Sequence, residues 1–291
     1  MATEPIPAEK LPFSDPNAWD NHAKKYDDAA GRSSRLGSSH LISLVESLGP
    51  SLSAPDARAI DLGAGTGSLA FLLAAKYPEL PILATDISPG MLDQIQTSPL
   101  ATPRITTQVA DMRTPIGGDA EEGAFSHVFS TMAIQALRDP AGEGVLAEWA
   151  RLLRPDGVVA IGIWIFDEDC GPHAIWQQAA TAVEPSYVNP PLLPPGHWLG
   201  VSELESGLKT AGFADVKAEI QQVGFDLGKE GFMKWFWESG NPSPLERQQS
   251  FKGDLTRVNM EMERLLDEVY DEGRRIPLLV GLAVGRKPRG H

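Results

Sequence analysis

The chain has 291 residues, one cysteine, and 39 acidic against 25 basic side chains, a formal net charge of −14. One cysteine excludes an intrachain disulfide and a cysteine-rich metal site, and the acidic balance argues against a phosphate-backbone partner, so no nucleic acid is expected. The longest apolar run, 157–166, is too short to span a bilayer, and no basic start leads into an apolar core; the expectation is a cytoplasmic protein with no membrane partner.

Residues 1–16, rich in Pro, Ala and Glu without periodicity, read as a flexible arm, and 17–291 as a single domain. From Trp19 the spacing turns helical through His22, Ala23 and Tyr26. A second helix over 38–48 carries Leu41, Ile42, Leu44, Val45 and Leu48 and stops before Gly49-Pro50. Strand and helix signals then alternate: strands over 57–62, 82–86, 105–110, 125–131 and 158–164, helices over 68–76, 89–96 and 142–153. Runs rich in Val, Ile and Ala suit parallel strands covered on both faces, so the pattern predicts a doubly wound α/β sheet that binds its ligand at the strands' carboxyl ends. After Trp164 the rhythm breaks. A short helix over 173–183 leads into a proline- and aromatic-rich stretch, and Ser202 is positioned to cap a helix that runs through Ala211 to Gly212. A strand over 216–227 follows, then a helix over 230–238, a break at 240–244, one long amphipathic helix to about Asp271, and a last strand over 278–285. The insertions at about 165–200 and 229–275 read as a substrate cap.

The chemistry concentrates at Asp61-x-Gly63-x-Gly65-x-Gly67, where a strand ends and a helix opens. Ser68 stands where a dinucleotide fingerprint has its third glycine, and the Gly-Lys-Ser/Thr of a phosphate loop is absent. Asp86 ends the second strand, where an acid accepts both ribose hydroxyls, and Ile87 and Met91 offer apolar surface to a purine. Asp111-Met112 ends the third strand, suited to an adenine amino group and ring nitrogen. Three carboxylates along one sheet edge repel a pyrophosphate and suit a cationic, adenosine-bearing ligand, which points to S-adenosylmethionine.

With these pieces, and with Leu152-Leu153-Arg154-Pro155-Asp156-Gly157, the chain resembles the class I S-adenosylmethionine-dependent methyltransferases, near the small-molecule branch of the ubiquinone-biosynthesis enzymes. The resemblance implies a seven-stranded sheet of order 3-2-1-4-5-7-6 with strand 7 antiparallel. It implies that Asp61, Gly63, Ala64, Gly65, Thr66 and Gly67 hold the methionine end, Asp86 the ribose, and Asp111 with Met112 the adenine. Tyr26 would cover the methionine carboxylate, and Ser130 is assigned to the cofactor as well.

The family pattern after the fourth strand often runs Ser-x-x-Ala-x-His-His; here Ser130 is followed by Gln135 where a histidine is common. The obvious base is therefore missing. Either the acceptor arrives already nucleophilic or a base comes from His173 or His197, with Gln135 orienting the acceptor. Trp19, Gln135, Trp164 and Trp198 are the expected acceptor contacts, and no residue set has metal spacing. The expected activity is methyl transfer to O, N or S of an apolar or aromatic small molecule, a secondary metabolite among the candidates, by a monomer or homodimer that releases S-adenosylhomocysteine. The alternative is a methyltransferase-like scaffold serving as a cofactor-binding regulator or a catalyst of other chemistry.

Overall fold

The computed structural model describes residues 19–20, 23, 31–114, 116–117, 121–137, 144–166, 171–189, 198–225, 227–239, 241–271 and 276–289. Helix α1 (Arg32–Glu46) begins earlier than its apolar run because its first turns bury small residues, Ser33, Ser34, Gly37 and Ser38, as well as Leu41, Ile42 and Val45. The alternating region follows as β1 (Ala59–Leu62), α2 (Ser68–Lys76), β2 (Ile82–Asp86), α3 (Pro89–Thr97), β3 (Ile105–Val109), β4 (Phe125–Thr131), α4 (Val145–Leu152) and β5 (Leu153–Ile165). Strand β5 starts well before Val158. The left-handed Asp156 (φ 64°) and a register shift against β4 let the chain enter the sheet through an irregular first turn.

The remaining elements are α5 (Gly171–Val183), α6 (Val201–Thr210), β6 (Ala214–Gln222), α7 (Gly228–Glu238), α8 (Pro242–Ser250), α9 (Leu255–Asp271) and β7 (Leu279–Arg286). Among the described residues the strands form one seven-stranded sheet of order β3-β2-β1-β4-β5-β7-β6. β1 is parallel to β2 and β4, β2 to β3 and β4 to β5, while β7 runs antiparallel to both β5 and β6. This is the order that the resemblance implied.

The central strands are buried on both faces, their apolar residues interrupted by buried polar side chains such as Asp61, His127 and Ser130. One face packs Leu41, Ile42 and Val45 of α1 and Leu69 and Leu73 of α2. The other packs Leu146 and Trp149 of α4 and Leu204 and Leu208 of α6. A third core joins Trp176 of α5, Phe232 and Phe236 of α7 and Val258, Met262 and Leu266 of α9, with the Trp176 and Phe236 rings stacked at 5.0 Å. Trp164, near the end of β5, packs against both the α1–α2 core and this third core. No helix of the described residues is long and apolar enough to cross a membrane.

Four expectations fail for physical reasons. Ser202 does not cap α6: the helix already begins at Val201 behind an extended Gly200, and the Ser202 hydroxyl turns to Glu203. The strand expected over 216–227 stops at Gln222, because Gly224 adopts a positive φ of 71° and leaves Phe225 only an isolated bridge to Ile276. The single long helix is two. Pro242 tolerates the first helical position behind an Asn241 cap, and α9 starts afresh where Asp254 Oδ1 accepts from the Thr256 and Arg257 amides. Trp198 is wholly buried in the core under α6, where a Cβ on Gly207 would lie 2.7 Å from its ring, so it is unavailable to an acceptor. Trp198→Ala should cost about 3–5 kcal/mol of stability through the cavity it leaves. Urea unfolding measures this, and a loss below about 1 kcal/mol would contradict the packing.

Candidate functional site

The cofactor side of the site hangs from the carboxyl ends of β1, β2, β3 and β4, and residues beyond β5 add to its wall. The turn after β1 is held to β2 by the amides of Gly63 and Ala64, which both donate to the Thr85 carbonyl at 2.8 Å. Gly63 (φ 72°) has no room for a side chain: a Cβ there would come within 2.5 Å of Ala133 and 2.8 Å of the Met112 methyl. Gly67, left-handed at φ 89°, turns the chain into α2.

Asp61 lies beneath this turn. It is completely buried, and neither carboxylate oxygen has a hydrogen-bond partner among the described residues. Burial, and then the charge of Asp86, pushes its pKa up to about 8. An orphaned buried acid of this kind fits a cationic ligand, since a neighbouring positive charge restores the ionised form.

Asp86 joins two turns: Oδ2 accepts from the Gly65 amide and Oδ1 from the Ser88 amide, both at 2.9 Å. Its pKa is raised, burial outweighing the amide bonds from Ser88, Gly65 and Ile87, with a contribution from the charge of Asp20. Asp111 is clasped by Arg113, whose Nε donates to the two oxygens at 2.9 and 3.0 Å and Nη2 to Oδ2 at 2.6 Å. Burial raises this acid, but the bonds and charge of Arg113 outweigh that and hold it below the usual range. The expected adenine acceptor thus carries a guanidinium beside it that motif spacing did not reveal. Trp149 of α4 steadies the same loop by donating Nε1 to the Met112 carbonyl at 3.3 Å.

Most of these groups meet at one cavity of about 210 Å³. Gly63, Ala64, Gly65, Thr66, Asp86, Ile87, Met91, Asp111 and Met112 of the expected cofactor set line it, and so do Trp19, Gln135, Trp164 and His173 of the expected acceptor set. Phe166, Phe225, Trp235, Asn241, Ser243 and Leu278 line it as well without having been among the expected contacts. Trp235 sits in an aromatic run whose inward positions only the phase of α7 decides, and Asn241 and Ser243 read as a mere break between helices.

Gln135 is brought in by a short 3-10 helix (Ile134–Ala136) after the left-handed Met132, and its Oε1 accepts from the Trp164 amide at 2.6 Å. His173 stands edge-on to Phe166, ring centroids 5.3 Å apart. Its ring opens onto the cavity but is otherwise surrounded by protein; burial, and then the charge of Arg247, lowers its pKa to about 3.

Three residues assigned to the cofactor do not line the cavity. Asp61 is buried beneath the glycine turn. Ser130 is buried and donates to the Leu62 carbonyl at 2.9 Å, pinning β4 to β1. Gly67 shapes the turn from behind. Tyr26 and His197 lie outside the described residues. Among the described residues no group of three His, Cys, Asp or Glu is placed to hold a metal.

Comparison with known proteins agrees with this geometry. Residues 59–157 match a family described as a methyltransferase domain. The chain is 29% identical to a malonyl-[acyl-carrier protein] O-methyltransferase of Laribacter hongkongensis over 57% of its own length and 54% of the relative's. It is 28% identical to a trans-aconitate 2-methyltransferase of Deinococcus radiodurans, covering 62% and 68% of the two chains. The chain spans about half the length of the first of these relatives. In fold it resembles a Haloferax volcanii methyltransferase in complex with the Trm112 methyltransferase activator, with a TM-score of 0.54 and 18% identity over 94% of this chain and 96% of that one.

Asp61 generates a prediction of sign. Unfolded, it ionises near 3.8; folded and ligand-free, near 8. Ionising the buried group costs stability, so stability is lost as pH rises through that window. Asp61→Asn removes the loss and should gain about 1–3 kcal/mol on the wild type between pH 5 and pH 8. Urea midpoints at the two pH values measure this, and parallel pH dependences would contradict an uncompensated Asp61.

Proposed function

We propose that this chain, a class I S-adenosylmethionine-dependent methyltransferase by its sheet order and by the methyltransferase domain at residues 59–157, methylates an O, N or S atom of a small apolar or aromatic acceptor that arrives already nucleophilic. The observation that carries the reading is one cavity that gathers the Gly63–Thr66 turn, Asp86 and Asp111 with the aromatic side chains of Trp164, Phe166 and Trp235. S-Adenosylmethionine, when bound, supplies a methyl carbon activated by its sulfonium charge. On the acidic side Asp86 would accept the ribose hydroxyls, Asp61 would face the methionine ammonium, and Ile87 and Met91 would cover the purine.

Trp164, Phe166 and Trp235, which also line the cavity, would offer apolar surface to the acceptor and keep water out. Holding acceptor and donor in line is worth about 7–11 kcal/mol by itself. Neither described candidate supports the alternative of on-site deprotonation: the Gln135 amide oxygen is engaged with the backbone, and burial makes His173 a weak base. A carboxylate is the favoured acceptor within this reading. It needs no base, it is the chemistry of the malonyl and trans-aconitate acceptors that the relatives' names carry, and buried Arg247 lies one helical turn from cavity-lining Ser243.

Turnover with methyl-labelled cofactor on matched aromatic acids and their primary amides tests this: the acids should be labelled and the amides not. His173→Gln should keep activity within about tenfold, whereas a loss of about 10²–10⁴ would make the imidazole a general base and contradict the reading. Binding of S-adenosylhomocysteine without turnover on any acceptor would favour the regulator reading.

A further inference from the structure

Asp20 stands outside the sheet and the motifs, yet its carboxylate reaches into the cofactor side. Its Oδ1 accepts from the Ser88 hydroxyl at 2.5 Å and from the Gly90 amide at 2.9 Å. The first turn of α3 explains why a distant acid is wanted there. Pro89 has no amide proton, the Met91 amide is satisfied by the Ser88 hydroxyl at 3.0 Å, and the Gly90 amide is left for Asp20. Gly90 leaves room for the approach, since a Cβ there would lie 2.9 Å from Asp20 Oδ1 and 3.2 Å from its Cα. The contact also reaches the ribose acid, because Ser88 gives its hydroxyl to Asp20 and its amide to Asp86. The neighbour of Asp20 in the chain, Trp19, lines the cavity.

We propose that Asp20 is a positioning residue: by latching onto Ser88 and Gly90 it fixes Trp19 as a wall of the cofactor site and so retains the bound adenosyl ligand. The inference rests on the reading of the cavity as an S-adenosylmethionine site. A plain capping role for Asp20 makes a different forecast, namely lost stability of α3 with ligand affinity unchanged. Asp20 is exposed, so its replacement leaves the cores intact.

Calorimetry with S-adenosylhomocysteine on the full chain, paired with thermal melts, separates the two. Asp20→Ala and Gly90→Ala should each weaken binding about tenfold. Asp20→Asn, which keeps an oxygen for both bonds, should stay within about threefold of wild type. Trp19→Ala should reproduce the loss, and adding Asp20→Ala to it should cost little more, because both act through one contact. Wild-type affinity in Asp20→Ala, an Asn variant as weak as the Ala variant, or full additivity with Trp19→Ala would each overturn the latch. A wild-type chain that does not bind S-adenosylhomocysteine would overturn the functional reading itself, and the latch with it.

Discussion

A carboxylate buried without a partner is among the most costly arrangements a fold tolerates. Asp61 is such a group. It lies one residue before the end of β1, and burial together with the nearby charge of Asp86 favours its protonated form. The rest of the site follows from that constraint. In the turn above Asp61, Gly63 must stay free of a side chain, because a Cβ there would meet Ala133 and Met112. Asp86 spends both its oxygens fastening that turn to the next one, and Asp111 keeps its charge compensated by Arg113.

The sheet was legible because its chemistry is local. β1, β2 and β4 are buried on both faces, so their sequences are short and rich in apolar residues, with acids at or beside the carboxyl ends of β1 and β2. The acids at those edges were legible for the same reason: register between parallel strands brings residues at strand ends together. The order of the strands came from the resemblance and not from periodicity.

The cap was less legible, because an aromatic residue in an insertion does not announce which core it joins. Trp164 and Trp198 look alike in the sequence, yet one borders the cavity and the other fills the space against Gly207. Trp176 and Phe236 stack on each other inside the third core, while Trp235, one residue away, reaches the cavity wall. Helix phase decides these cases, and phase depends on where α7 and α8 begin. Pro242 looked like a breaker and proved to be a helix start. Asp20 was invisible for a different reason: its partners are 68 and 70 residues away, and no periodic pattern connects them.

The cavity therefore joins acids suited to a cationic cofactor with aromatic side chains, and among the described residues its histidine is a weak base, an arrangement that fits the proposed reading in which placement, not proton transfer, is the work of the protein. The claim beneath this is that the ligand's positive charge repairs Asp61. Calorimetric titration of S-adenosylhomocysteine at pH 7, in two buffers of different ionisation heat, measures protons released on binding. Release of up to about one proton is expected from the wild type and none from Asp61→Asn, together with weaker binding in the variant. Equal proton release by the two, or tighter binding by Asp61→Asn, would contradict it.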